Sequence, residues 1–159
     1  MPIADGQTKM TMMKKTIIFG TLLTILFVFQ SCTKDTSVKN DIQGLWDCNA
    51  SQNFDSTKLA DKLIGSWQWT KSSSELVTKK ADKKVVVTFT SDRKFTVVEN
   101  SAIITQGNWR LKIVDSGILG LSLDTTSQFL YGRILLCESQ VVFNDSYRDG
   151  TDNFFVSTK

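Results

Sequence analysis

The chain has 159 residues, a length typical of one domain, with no histidine, one proline and three cysteines. Without histidine it can form neither a Ser-His-Asp triad nor a Cys-His pair, nor a histidine-ligated zinc or haem site. The net charge of +3 is too small to indicate nucleic-acid binding. No residue spacing marks a metal site, a cofactor site or a catalytic carboxylate pair, so binding is favoured over catalysis.

Residues 1–31 are predicted to be a leader and signal peptide that is removed. Two lysines precede an apolar run at residues 16–29. Fourteen residues are fewer than the roughly 20 that a helix needs to cross a bilayer, and they suit the h-region of a secretory signal. The run ends at Ser31-Cys32, which resembles a bacterial lipobox. The resemblance implies cleavage before Cys32 and acylation of its thiol; the alternatives are a retained short anchor or a chance cysteine.

An acylated Cys32 predicts a protein of the bacterial cell envelope, held by lipid in the outer membrane and facing the periplasm or the cell surface. Residues 32–40 are polar and predict a lipidated tether. Residues 41–62 predict an N-terminal segment that packs over the following domain, with Trp46 as its anchor. One short helix is expected in this segment, capped by Asp55 or Ser56.

Residues 63–159 are predicted to form one antiparallel sheet. Short runs of β-branched and aromatic residues alternate with polar ones, and turn signals separate the runs. One hairpin is clear, because Val85, Val87 and Phe89 share one face of a strand and Phe95 resumes the pattern after a turn. About eight such runs occur without a long helical pattern between them. The predicted fold class is therefore all-β, an eight-stranded antiparallel up-and-down barrel with a short N-terminal helix.

The order of several motifs along the chain resembles the small lipocalin-like, calycin-type lipoproteins of Gram-negative bacteria. These motifs are L-x-G-x-W at residues 63–67, F-x-x-D-x-x-F at residues 89–95 and a second G-x-W at residues 107–109, with an aromatic tail. The resemblance covers residues 63–159 and the leader. It implies a lipocalin-like barrel but names no ligand.

In lipocalins an arginine from a late strand stacks on the first G-x-W tryptophan. The resemblance thus implies a structural motif at Gly65 and Trp67, with Arg133 or Arg148 over the Trp67 ring. The competing hypothesis places Arg133 inside the barrel, where it would anchor an anionic ligand. A late strand is expected to carry Tyr131 and Arg133 on the same face.

A barrel of this size can enclose one small apolar or amphipathic ligand. The candidate ligand-binding residues are Trp69, Phe89, Phe95, Val97, Trp109, Leu111, Tyr131 and Arg133. The same residues can instead fill a solid core. In that case the outer surface would contact a partner protein, whose identity the sequence does not indicate.

Cys48 and Cys137 are the two thiols that remain once Cys32 is acylated. Because an exported chain meets an oxidising compartment, they are candidates for a disulfide across a loop of about ninety residues. The alternative is two buried free thiols.

Overall fold

The computed structural model describes residues 42–159, so the predicted signal peptide, Cys32 and the tether lie outside the described residues. The described part contains two α-helices, nine strands and one short 3-10 helix, Ser146–Arg148. The helices are α1 Ile42–Gln52 and α2 Ser56–Leu63. The strands are β1 Gly65–Ser73, β2 Thr78–Lys80, β3 Val85–Phe89, β4 Lys94–Glu99, β5 Ala102–Asp115, β6 Ile118–Leu123, β7 Arg133–Cys137, β8 Gln140–Asn144 and β9 Asp152–Ser157. No helix in residues 42–159 is long and apolar enough to span a bilayer.

Eight of the nine strands close into an antiparallel barrel, which confirms the predicted fold class. The strands from β3 to β9 pair in chain order, and β9 returns to pair with β1, with Trp69 opposite Phe155. The extra strand is β2, which pairs with Lys71–Ser73 at the far end of β1. The near end of β1 pairs with β3 instead, so that Gly65 lies opposite Phe89.

Two apolar clusters hold the structure together. The first fills the barrel, and Leu59 and Leu63 of α2 belong to it. The second lies on the outside of the barrel, where Leu45 of α1 packs against Leu135 and Val142. Both helices therefore cover apolar surface that the sheet alone would leave exposed.

The two helices differ in how well the sequence predicts them. α2 confirms the expected short helix, because the Asp55 carboxylate accepts a hydrogen bond of 2.7 Å from the Lys58 amide. α1 was not predicted, since its Gly-Leu-Trp sequence looks like a copy of the L-x-G-x-W motif with which β1 begins. The helical signal was nevertheless present, because Ile42, Leu45 and Trp46 have the spacing of one helix face.

The predicted start of the strand around Tyr131 was wrong. β7 begins only at Arg133, because Gly132 has a φ of +87° that breaks the strand. A Cβ at position 132 would lie 1.9 Å from the Asn144 carbonyl oxygen, so only glycine fits. Phe129 remains buried nonetheless, and its ring lies edge-on to the Trp69 ring at 5.4 Å.

Candidate functional site

The barrel interior is occupied by aromatic rings in contact with one another. The Trp109 and Phe89 rings meet edge-on at 5.4 Å, and Phe89 lies 6.3 Å from Phe143. Phe143 in turn meets Phe155 at 5.7 Å. Ring centroids at these separations are in packing contact. The four rings thus form a continuous chain across the interior, from β5 to β9, in the space where a ligand would have to lie.

Six of the eight candidate ligand-binding residues face this interior. Trp69, Phe89, Phe95, Val97 and Trp109 are buried in the first cluster, and Leu111 packs against it while partly buried. The two exceptions are Arg133, which is described below, and Tyr131, which is 46% exposed. It does not contribute a hydroxyl to the interior, because the left-handed backbone at Gly132 ends the strand alternation that predicted its direction.

Trp67 has a structural role at the entry to the barrel. Its indole N–H donates a hydrogen bond of 2.8 Å to the Leu63 carbonyl at the end of α2. This bond satisfies a helix-terminal carbonyl that would otherwise lack a partner. Gly65 permits the sharp link between α2 and β1, since its φ is +135°.

The predicted arginine over Trp67 was wrong. Arg133 lies on the outer face of β7, because Ile134 and Leu136 take the inward positions and side chains alternate along a strand. Its guanidinium carbon is 3.7 Å from the Tyr147 ring centroid and 5.5 Å from that of Trp46. Arg133 therefore cannot anchor a ligand inside the barrel.

Arg133 instead joins four parts of the chain outside the barrel. Its Nη2 pairs with the Asp115 carboxylate at the end of β5, while its guanidinium carbon lies over the rings of Trp46 of α1 and Tyr147 of the 3-10 helix. The hydrogen bond from Arg133 is the main reason why the pKa of Asp115 lies below its ordinary value, and one from Ser116 adds to it. Because Asp115 neutralises this guanidinium, the arrangement fastens surface elements together and is poorly suited to bind an anion.

An arginine does stack on a tryptophan, but at a different place. The Arg93 guanidinium carbon lies 4.6 Å from the Trp109 ring centroid, at the turn between β3 and β4. Arg93 adopts a left-handed backbone with a φ of +66°, where glycine is more common. The contact between the cation and the ring therefore lies at the end of the barrel where β3 turns into β4.

The acidic loop between β8 and β9 is built around its own hydrogen bonds. Asp152 is 5% exposed, and its carboxylate accepts bonds from Asn144 Nδ2, from the amides of Asp145 and Ser146, and from Ser146 Oγ. These four bonds occupy the carboxylate, whose role is to fix the loop. Within residues 42–159 no three potential metal ligands among His, Cys, Asp and Glu are grouped to hold an ion.

The cavities at the surface of the described region include four open ones of about 200 to 370 Å³. None of these four is lined by Phe89, Phe95 or Val97. One of about 200 Å³ lies between the helices and the barrel wall, where Leu59 and Ile134 of the inner cluster form part of its lining. This is smaller than the 300–1,000 Å³ usual for a small-molecule site.

Cys48 and Cys137 form a disulfide, the pairing that the sequence favoured. It joins α1 to the end of β7. Asn49, the residue after Cys48, accepts a hydrogen bond of 2.9 Å from the Leu136 amide. The sequence did not indicate this asparagine, which satisfies a β7 backbone group that β6 does not reach.

No family model matches the chain, and comparisons with curated proteins and with solved structures find no significant match.

Proposed function

We propose that the protein is a lipid-anchored, non-enzymatic lipoprotein of the bacterial cell envelope, similar to the small lipocalin-like lipoproteins, whose outer surface makes its functional contacts. The observation that carries this proposal is the chain of rings from Trp109 to Phe155, which leaves the barrel as a filled scaffold. Support for the anchor comes from the apolar run and Ser31-Cys32. The proposed partners are the outer membrane, through the lipid on Cys32, and a protein still to be identified, but not nucleic acid.

The anchor is tested by metabolic labelling of growing cells with an alkyne analogue of palmitate. The wild-type chain should incorporate the label and sediment with the outer-membrane fraction. Cys32→Ser removes the acylated thiol and should abolish labelling. As a matched control, the double variant Cys48→Ala/Cys137→Ala should keep the label. Equal labelling of the wild type and Cys32→Ser would contradict the proposal.

A small apolar or amphipathic ligand is the second candidate function, and one observation favours it. β6 and β7 share a single ladder pair, Gly120 with Arg133, so the barrel wall is thin at this seam. The cavity of about 200 Å³ lies over the same seam, next to Leu59 and Ile134. A modest rearrangement of the helices there would open a path to the inner cluster.

Native mass spectrometry of protein purified from its own envelope separates the two candidates. The scaffold proposal expects the bare mass of the acylated chain. A co-purifying small molecule would favour the ligand candidate, especially if Ala50→Leu, which fills the seam cavity, removed it. Ala102→Leu enlarges another exposed alanine, away from the seam, and should have no effect.

A further inference from the structure

The hairpin of β1 and β2 carries exposed apolar side chains at its tip. Its connection is residues 74–77, in which Leu76 is 92% exposed and Val77 50% exposed. The Oγ of Ser73 and the Oγ1 of Thr78 lie 2.8 Å apart across the base of this turn. Large apolar side chains in water are thus presented by an ordered turn.

Several lysines lie directly after this tip in the sequence. Lys79 and Lys80 are exposed on β2, where successive side chains point to opposite faces, and Lys84 is exposed shortly after. None of these three amines lies within salt-bridge distance of a carboxylate in residues 42–159. By contrast, Lys83 pairs with Glu99 at 2.7 Å.

A second exposed apolar pair lies at the same end of the barrel. Ile103 and Ile104 are the second and third residues of β5, close to the turn between β4 and β5. That turn is tied to the lysine segment, because the Asn100 amide donates a hydrogen bond of 2.9 Å to the Lys84 carbonyl. This end is remote from the one where Gly65 pairs with Phe89.

The chain also enters the described region beside this hairpin. Ile42, the first residue of α1, lines a cavity together with Ser73, Ser74 and Thr78. Nine residues separate it from Cys32. The ten steps from Cys32 to Ile42, at about 3.3–3.6 Å each, span at most roughly 36 Å, so a lipid on Cys32 would hold this end of the barrel near a bilayer.

We propose that the tip hairpin docks on an anionic bilayer surface, with Leu76 and Val77 in the interfacial region and the three exposed lysines at lipid headgroups. Residues 74–84 hold four lysines against Glu75 and Asp82, a net charge of +2 that complements such a surface. This inference rests on the proposed lipid anchor for its orientation. Docking would fix how the barrel stands on the membrane and which faces remain open to a partner.

The test uses the acylated protein purified from its envelope and carrying Glu75→Cys, labelled with the environment-sensitive fluorophore NBD. It is reconstituted on vesicles of phosphatidylethanolamine and phosphatidylglycerol, or of phosphatidylcholine, each containing nitroxide-bearing lipid. On the anionic vesicles NBD emission should shift to shorter wavelength and be quenched. The same label on Ser91→Cys, in the β3–β4 turn at the opposite end, should remain unquenched.

Two sets of variants separate the apolar and the charged contributions. Leu76→Asp/Val77→Asp should lower the quenched fraction about tenfold, because burial of both side chains is lost. Lys79→Gln/Lys80→Gln/Lys84→Gln should lower it about fivefold or more on anionic vesicles at low salt. Ile113→Asp changes an isoleucine at the opposite end whose exposure, 70%, lies between those of Leu76 and Val77, and it should leave quenching unchanged.

The outcomes separate this inference from the anchor on which it rests. Protein that does not float with vesicles at all overturns the anchor. Protein that floats while the label at position 75 stays in water overturns the docking hairpin and leaves the anchor standing. Equal quenching on anionic and phosphatidylcholine vesicles overturns the role given to the lysines.

Discussion

Asp152 shows how a single buried carboxylate can organise a loop. Its four hydrogen bonds all come from residues 144–146, so one side chain sets the path from β8 into the 3-10 helix. A buried polar group costs free energy unless it is hydrogen-bonded, and these donors meet that requirement for Asp152. The carboxylate is therefore occupied by the amides and the hydroxyl of the loop itself.

We expect Asp152→Ala to lower the free energy of unfolding by about 2–3 kcal/mol, because it leaves several buried donors without an acceptor. Asp152→Asn should cost less, since its amide oxygen can still accept from the two backbone amides. Chemical denaturation measures both values. Asp149→Asn, an exposed change in the same loop that tolerates the left-handed backbone, serves as the control and should stay within about 0.5 kcal/mol.

Arg133 gives a prediction about pH. Its hydrogen bond holds the pKa of Asp115 below the ordinary value, so the ionised Asp115 stabilises the fold at pH values above that ordinary pKa. This contribution is lost as the pH falls through the folded-state pKa. In Arg133→Met the pKa of Asp115, followed by NMR titration, should rise towards its ordinary value, and the acid-dependent loss should shrink.

Arg110→Met is the matched control for this titration. Arg110 lies on the same strand as Asp115 but donates to Ser122, so its removal should leave the pKa of Asp115 in place. An Asp115 titration that is identical in the wild type and in Arg133→Met would show that Arg133 does not hold the carboxylate.

At the scale of elements, α1 is a clamp on the outside of the barrel. Leu45 packs on the outer face of β7 and β8, Asn49 accepts from the Leu136 amide, and Cys48 is bonded to Cys137. These three contacts are spaced within about one turn of helix. They cover the stretch of β7 that β6 leaves unpaired.

Removing the disulfide in Cys48→Ala/Cys137→Ala should lower the free energy of unfolding by about 4–5 kcal/mol on the chain-entropy view, within a usual range of about 2–5 kcal/mol. The comparison is made by thermal and chemical denaturation with and without reductant. Reductant should destabilise the wild type and have no further effect on the double variant. Equal stability of the two proteins without reductant would contradict the clamp.

The sequence predicts elements where local signals agree. The hairpin of β3 and β4 has alternation on both strands and a polar turn, and the structure confirms it with Phe89 opposite Phe95. α2 is predicted for the same reason, since an acidic cap precedes an amphipathic run. Such signals lie within a few residues of one another, and no distant contact is needed to read them.

The sequence fails where a distant contact decides the local structure. Gly132 ends a strand because the Asn144 carbonyl occupies the space of its missing Cβ, and residue 144 belongs to another strand. Because of this break, the predicted position of the Tyr131 side chain inside the barrel was also wrong. The family resemblance placed Arg133 or Arg148 over Trp67, and the competing hypothesis placed Arg133 inside the barrel, whereas the inward positions belong to its neighbours Ile134 and Leu136. The aromatic interior was predicted, but whether it encloses space depends on ring-to-ring distances that no pattern contains.

For the molecule as a whole, the number of ladder pairs between neighbouring strands varies around the barrel. β3 and β4 share five ladder pairs, as do β7 and β8, and β1 and β9 close the ring over six. By contrast, β6 and β7 share one ladder pair. Ladder hydrogen bonds and cross-strand contacts stabilise a sheet, so the seam is where the closed structure opens at the lowest cost.

Hydrogen exchange followed by mass spectrometry should therefore rank the strands. We expect peptides from β6 and β7 to exchange sooner than those from β3 and β4, because amides that point into the seam lack a strand partner. Reduction of the disulfide should accelerate exchange in β7, where the Leu136 amide depends on Asn49, and leave β3 and β4 unchanged. Uniform protection around the barrel would mean that the helices seal the seam as firmly as a ladder does. The ligand candidate would then lose its route to the interior, and the outer surface would remain as the place of function.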